Sequence, residues 1–135
     1  MSTQFEESLI AELSAISEFG NRIYPAHAPE NIGTTGTPRL IFVSSYGVRT
    51  KTLDGGYDGG RKVPVELNVI DTTYLGMREL TGKVMNLLES MNGRVIGNGP
   101  FIQELTYYTP QEFFESEPKL HRCLIDFEVY FEEDE

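Results

Sequence analysis

"LDGGYDGGRKVPVELNVID", residues 53–71, opens with four glycines and two aspartates in eight positions and closes on a strict alternation. Were the glycines to lead into a helix, the chain would read as a phosphate-binding protein, because amides at a helix N-terminus cradle phosphate. Gly55 and Gly60 have the gap of such a loop, but Arg61 and Lys62 stand where lysine and then serine or threonine are needed. The glycines lead into a strand instead: Val63, Val65, Leu67 and Val69 alternate with Lys62, Glu66 and Asn68. On their N-terminal side lies another strand, "RLIFVSSYG" at 39–47, apolar at first on both alternating faces, as expected where two sides are covered. The glycine-rich stretch therefore joins strand to strand, which argues against a nucleotide cradle. Pro64, on the polar side, removes a ladder donor and predicts an edge or a bulge near the start of its strand.

A calcium loop fits no better, since Asp54 and Asp58 offer two carboxylates without its spacing. The stretch is then a long connection, 48–60, between strands that about two to five residues could have joined. Glycine raises the cost of ordering such a loop, so a flexible arm is expected. Two readings stay open. One is a tolerated surface insertion; the other is an arm that orders on another chain, with Lys51, Asp54, Tyr57, Asp58, Arg61 and Lys62 as its contact groups.

Working outward, residues 3–18 form an amphipathic helix by the recurrence of Phe5, Leu9, Leu13 and Ile16, with Thr3 and Glu6 as a capping box and Gly20 as the stop. "NRIYPAHAPENIGTTGTP", residues 21–38, holds three prolines and reads as an irregular traverse. A second helix over 73–91 carries Met77, Leu80, Val84, Leu87 and Met91 on one stripe and stops at Gly93. Strands are expected at 101–109 and 119–131; in the last, Cys123, Ile125, Phe127, Val129 and Phe131 face inward. The order helix, strand, strand, helix, strand, strand predicts an α+β fold, two helices packed on one largely antiparallel, mixed sheet. A single domain over 1–135 is expected, with the arm at 48–60 and an acidic tail at 132–135.

Composition narrows the function classes. The chain of 135 residues has a net charge of −10, spread as −4 over 1–38, +2 over 39–103 and −8 over 104–135. So acidic a molecule is poorly suited to gripping a phosphate backbone. One cysteine excludes an internal disulfide and the usual multi-cysteine metal site, and suits a reducing compartment. No apolar run approaches the roughly 20 residues that span a bilayer, and "MSTQFEESLI" does not read as a signal peptide. No membrane association, cofactor or metal is expected.

Catalytic sets are weak. His121 and Cys123 share a strand face about 7 Å apart, so a thiolate–imidazole pair is conceivable, beside the plainer reading of a buried cysteine and a covered histidine. His27 has no partner at a diagnostic spacing. Glu112, Glu115 and Glu117 flank Phe113 and Phe114 in "TPQEFFESEP", which reads as a solvated loop with aromatic anchors. A small-molecule-binding or hydrolytic domain using the His121–Cys123 face stays as an alternative.

Taken in order, "RIYPAHAP", "PRLIFVS", the long glycine-containing loop, "VPVELNVIDTTYLGMRELTGKVMNLL" and "HRCLIDFEVYF" resemble the tail terminator, or tail completion, proteins of long-tailed bacteriophages. The resemblance covers nearly the whole chain and is one of order and pattern, with no catalytic signature. It implies a non-enzymatic virion protein at the tail–head interface, assembled in the host cytoplasm as a ring of six subunits. That ring would cap the head-proximal end of the tail tube, stop its polymerisation and join it to the head connector. Its partners would be copies of itself, the tail tube protein and the connector or stopper protein, with DNA passing through the lumen without specific binding. A head-side adaptor of the same phage neck is the nearest alternative within that setting.

Overall fold

In the computed structural model the residues described are 4–26, 36–45, 47–51, 53, 55, 57–116 and 119–132, with backbone alone at 50, 51, 57 and 58. Helix α1 spans Gln4–Leu13 and buries Phe5, Ser8, Leu9 and Leu13. It stops short of the expected residue 18: the Ser14 hydroxyl donates to the Ile10 carbonyl at 2.7 Å, which the Ser14 amide also reaches. Such back-bonding disfavours continuation, and a 3₁₀ turn over Ser17–Phe19 then turns Phe19 into the core. The expected Thr3 cap lies outside the described residues.

Strand β1 (Ile23–Pro25) comes next and pairs in parallel with β2 (Arg39–Ser44). β3 (Val48–Lys51) and β4 (Tyr57–Asp71) form an antiparallel hairpin. Within the stretch 48–60, expected as a flexible arm, residues 48–51 and 57–60 are strand. Pairing with Glu132 of the last strand holds Gly60 extended and offsets the entropy that glycine loses there.

Helix α2 (Tyr74–Met91) starts where expected: Thr73 is its N-cap, its hydroxyl accepting from the Gly76 amide at 3.1 Å. Its buried stripe is Met77, Leu80, Val84, Leu88 and Met91; Leu88, not Leu87, occupies the fourth position, keeping the spacings at three and four. Gly93, at φ +79°, ends it. Then come β5 (Ile102–Tyr107), β6 (Gln111–Glu115) and β7 (Leu120–Glu132).

The seven strands form one mixed sheet. Its middle is the long antiparallel pair β4 and β7, in register from Gly60↔Glu132 to Asp71↔His121. β2 and β3 share the outer side of β4, and β5 and β6 share the outer side of β7. With two helices on this sheet, the α+β class read from sequence is the class observed. The edge expected at Pro64 is not there, because β4 lies inside the sheet. The Pro64 carbonyl accepts from the Ser45 amide at 3.2 Å, so its donor-less nitrogen faces the same side, where β2 ends and β3 begins. Gly47, at φ +83°, makes that handover; a Cβ there would strike the Lys62 carbonyl.

The core lies between the helices and one face of the sheet. Val63, Val65, Leu67 and Val69 of β4 meet Cys123, Ile125, Phe127, Val129 and Phe131 of β7, all nearly or fully buried. Phe5 of α1 stacks on Phe131 with ring centroids 5.3 Å apart. Burying each of the valine, leucine, isoleucine and phenylalanine side chains among these contributes about 1.5–3 kcal/mol.

Candidate functional site

Two features stand outside that core: the β3–β4 hairpin and the sheet face turned away from the helices. The hairpin pairs Val48 with Lys62, Arg49 with Arg61 and Lys51 with Tyr57, and its register shifts between Arg49 and Lys51. Val48 is 70% exposed and Leu53, near the tip, is fully exposed. An apolar side chain so placed in a protein this acidic lowers the cost of contact with another surface.

The six expected contact residues do not share one setting. Lys51, Tyr57 and Asp58 lie in the hairpin strands, and Asp54 lies outside the described residues. Lys62 is exposed and pairs with Glu128 across the ladder at 3.3 Å, a solvated pair contributing about 0.2–1 kcal/mol. Arg61 is buried: its guanidinium sits 5.7 Å from the centre of the Phe131 ring on the core side. That arginine faces the helices, not the free surface of an arm.

The opposite face is built in rows by the register. Val43, Glu66 and Asp126 lie side by side on β2, β4 and β7; Pro64, Glu128 and Thr106 form the next row on β4, β7 and β5; Lys62, Tyr130 and Glu104 form a third. A groove of about 460 Å³ runs over Val43, Pro64, Glu66, Tyr108, Asp126 and Glu128. A second hollow, about 190 Å³, adjoins it over Lys62, Glu104, Thr106 and Tyr130. Four carboxylates and one ammonium thus share this area. Toward β6 the face is closed differently: Arg122 lies 5.0 Å from the Phe113 ring centre and donates to the Asn68 side chain at 3.2 Å.

The residues weighed for catalysis lie at the other end of the helix side. Cys123 is fully buried, and burial pushes its thiol up, so it stays protonated at neutral pH. His121 is half-buried between Tyr74 and Phe114, at ring-centre distances of 5.8 and 4.8 Å. A hollow of about 230 Å³ lies over Tyr74, Met77, Glu112, Phe113, Phe114 and His121. Glu112 is held there by the Tyr74 hydroxyl at 3.3 Å and by Arg78 at 3.5 Å, and Glu115 by Arg122 at 3.5 Å. The loop expected around these acids is strand β6. His27 and Glu117 lie outside the described residues. No group of three or more histidine, cysteine or acidic side chains fit to hold a metal ion occurs among the described residues. No described helix is long and apolar enough to cross a membrane.

Sequence reasoning did not identify the acidic face as a site. The alternation placed Glu66, Asp126 and Glu128 outward one strand at a time, but only the pairing of β4 with β7 sets Glu66 directly opposite Asp126.

No protein-family model matches the chain, and no curated protein sequence does. Among solved structures it is similar to a chain from the virion of a native gene transfer agent particle, at 16% identity and a TM-score of 0.62, over 98% of this chain and all of that one. A second solved chain, which carries no descriptive name, is 13% identical with a TM-score of 0.58, over all of this chain and 98% of the other. At such identities the likeness is one of fold, and it runs from end to end.

Proposed function

We propose that this chain is a non-enzymatic structural virion protein of the tail terminator type. As a ring, of six subunits by the family resemblance, it caps the head-proximal end of a phage tail tube. The cap stops tube growth and presents the surface that joins the tail to the head connector. The observation that carries this reading is the end-to-end fold likeness to a chain from a gene transfer agent virion. The sequence patterns that resemble tail terminators fall on the described elements: "RLIFVS" is β2, "VPVELNVID" lies in β4 and "HRCLIDFEVYF" lies in β7. A net charge of −10 suits a ring through which DNA slides without being held. A buried, protonated Cys123 leaves the His121 face without a thiolate nucleophile, which favours assembly over hydrolysis.

The test is electron microscopy of particles assembled without this chain in the phage or prophage that encodes it. Overlong tails that carry no heads are the expected outcome. Tails of normal length that fail to join heads would move the protein to the head side of the neck. Normal, infectious particles would end the assembly reading altogether.

A further inference from the structure

We infer that copies of this chain join margin to margin: β1 of one copy pairs antiparallel with β6 of the next, with Ile23 opposite Glu112, so that one sheet runs on from copy to copy. This deepens the ring reading above and rests on it for its biological setting.

At one level of the sheet both margins are open. The register carries Ile23 through Leu40, Val69 and Cys123 to Glu112, and Tyr24 through Ile41, Asn68 and Leu124 to Gln111. β1 and β6 are therefore the two ends of the same rows, and among the described residues neither has a further strand beside it. Unpaired margins of this kind are templates for another strand. Toward the other end of the sheet, the rows run from Val48 of β3 through Lys62 and Tyr130 to Glu104 of β5. There the β5 margin is already taken. The Gly93 amide donates to the Ile102 carbonyl at 2.8 Å, the Ile102 amide to the Arg94 carbonyl at 2.9 Å, and the Leu105 amide to Asn92 Oδ1 at 2.7 Å.

The two margins match in direction and in hydrogen-bonding phase. β1 is parallel to β2, whereas β2, β4, β7 and β6 alternate, so β6 runs opposite to β1. The Leu40 amide donates to the Arg22 carbonyl and the Ala26 amide to the Phe42 carbonyl. By alternation β1 turns Arg22, Tyr24 and Ala26 toward β2, and Ile23 and Pro25 outward. Across the sheet the Asp126 carbonyl accepts from the Tyr108 amide, so Asp126, Leu124 and Arg122 of β7 face that margin. Gln111 and Phe113, opposite Leu124 and Arg122, then bond inward, and Glu112 and Phe114 turn their backbone groups outward. In the inferred register Ile23 and Glu112 exchange both backbone bonds. Two residues along, Pro25 meets Pro110 with no donor on either side, and the ladder ends there.

The side chains agree with that register. Residues 22–25, "RIYP", hold one cation and no acid, and β6, "QEFFE", holds two acids and no cation. Arg22 donates to the carbonyls of Pro38 and Glu18 and has no carboxylate partner among the described residues. It falls opposite Phe113 of the next copy, 41% exposed, with Glu115 diagonal to it.

The contact cannot be made within one chain, because β2, β4 and β7 lie between the two margins and hold them about 19 Å apart at the usual strand spacing. Unlike margins make a head-to-tail contact that repeats from copy to copy. Because β1 and β6 end the same rows, the next copy is displaced across the strands and not along them. A contact without such a climb is the kind that closes into a ring when the rotation per copy allows.

Disulfide trapping on the purified full-length chain, whose own Cys123 is fully buried, tests this. Tyr24 and Gln111 fall opposite each other at a non-hydrogen-bonded position, where Cα atoms approach to about 4.5 Å, within disulfide reach. The chain carrying both Tyr24→Cys and Gln111→Cys should oxidise to a ladder of dimers, trimers and higher species, whereas each single variant should go no further than dimers. Pairing Tyr24→Cys with Glu112→Cys instead puts the second thiol on the other face of the sheet and should give no ladder. Adding Glu112→Pro to the first pair removes an outward amide and no bond to β7. It should slow the ladder about two- to tenfold, the scale of one hydrogen bond. Circular dichroism checks that each variant is folded. A folded Tyr24→Cys, Gln111→Cys chain that gives only the products of the single variants would overturn the contact. So would a ladder formed as fast through Glu112→Cys, or complete dimerisation of Gln111→Cys alone, which would assign the β6 margin to a two-fold pairing. Tail length is scored separately. A register-specific ladder with normal tails in particles lacking the chain would keep the contact and sink the terminator reading, whereas overlong tails without a ladder would do the reverse.

Discussion

Leu67 and Glu66 are neighbours on β4 and live in opposite worlds. Leu67 has no solvent exposure; it sits level with Phe42 on β2 and Ile125 on β7, under the helices. Glu66 points away from the helices, level with Val43 and Asp126, into a groove that no described helix covers. One face of the sheet closes on itself and the other is left unfinished. The difference teaches what each face asks of the monomer: the covered one buries apolar side chains, whereas the uncovered one sets like charges opposite each other at Glu66 and Asp126, a pairing that lends the monomer no stability. The two faces should therefore respond to substitution in different currencies, the covered one in stability and the uncovered one in association.

The largest effect belongs to the covered face. Leu67→Ala removes a fully buried side chain from the middle of the sheet and should cost about 3–5 kcal/mol, the range for leucine truncations that leave a cavity. Urea unfolding of the purified chain measures it. A cost below about 1 kcal/mol would mean that the helices do not pack on β4, and the contrast between the faces would collapse.

That contrast also explains what the sequence did and did not disclose. The buried face was legible because burial writes itself as alternation: every second residue from Val63 to Val69 and from Cys123 to Phe131 is apolar. β3 and β6 were illegible for the complementary reason. "VRTK" has Val48 exposed outright, and every residue of "QEFFE" is exposed; both are strands because β4 and β7 lend them a ladder from far along the chain. Local residue preference has no access to that. β1 was hidden in the proline-rich traverse, where three residues pair in parallel with β2. Pro64 signalled an interruption correctly, but whether the interruption is an outer edge or a handover between β2 and β3 depends on partners no local pattern encodes. Arg61 was recoverable: it lies two residues before Val63, so the period of two already puts it on the core side, where it meets Phe131.

A smaller effect, readable through pH, lies on the helix side. Arg94 donates to both oxygens of the Glu12 carboxylate, at 2.9 and 2.7 Å, tying α1 to the segment after α2. The hydrogen bond from Arg94 is the main cause holding the Glu12 carboxyl below its usual range, with the Gly97 amide adding to it and burial opposing. A carboxyl whose value is depressed in the folded state stabilises the fold above its unfolded value, and that stability is lost as pH falls through the folded one. Glu12→Gln should therefore lower stability at neutral pH, and the gap from the parent should close on the acid side of the ordinary carboxylate range. Because Arg94 is partly solvated, the neutral-pH difference should stay within about 1 kcal/mol. Thermal melts from neutral pH down to about pH 3, below the ordinary carboxylate range, check the sign. A gap that widens on acidification would mean the pair is not a stabilising contact.

The smallest effect on folding falls on the uncovered face, and it carries the most information. Glu66→Gln keeps the shape of the side chain and its hydrogen-bonding oxygen while removing one of two carboxylates that face each other across β4 and β7. Like charges directly opposite on an antiparallel pair cost a few tenths of a kcal/mol. The substitution should therefore leave the melting temperature unchanged or raise it slightly, by about 0.2–0.5 kcal/mol in stability. If this face meets a neighbouring copy in the proposed ring, the same substitution should shift the sedimentation profile of the purified chain toward the monomer. A more stable monomer that associates less well would show the two faces held to different requirements, because relief of repulsion inside one copy is then loss of attraction between two. A clear loss of stability on Glu66→Gln would instead make Glu66 part of the fold's own support. The division between a face that folds the chain and a face that joins it to others would then have to be redrawn at Glu66.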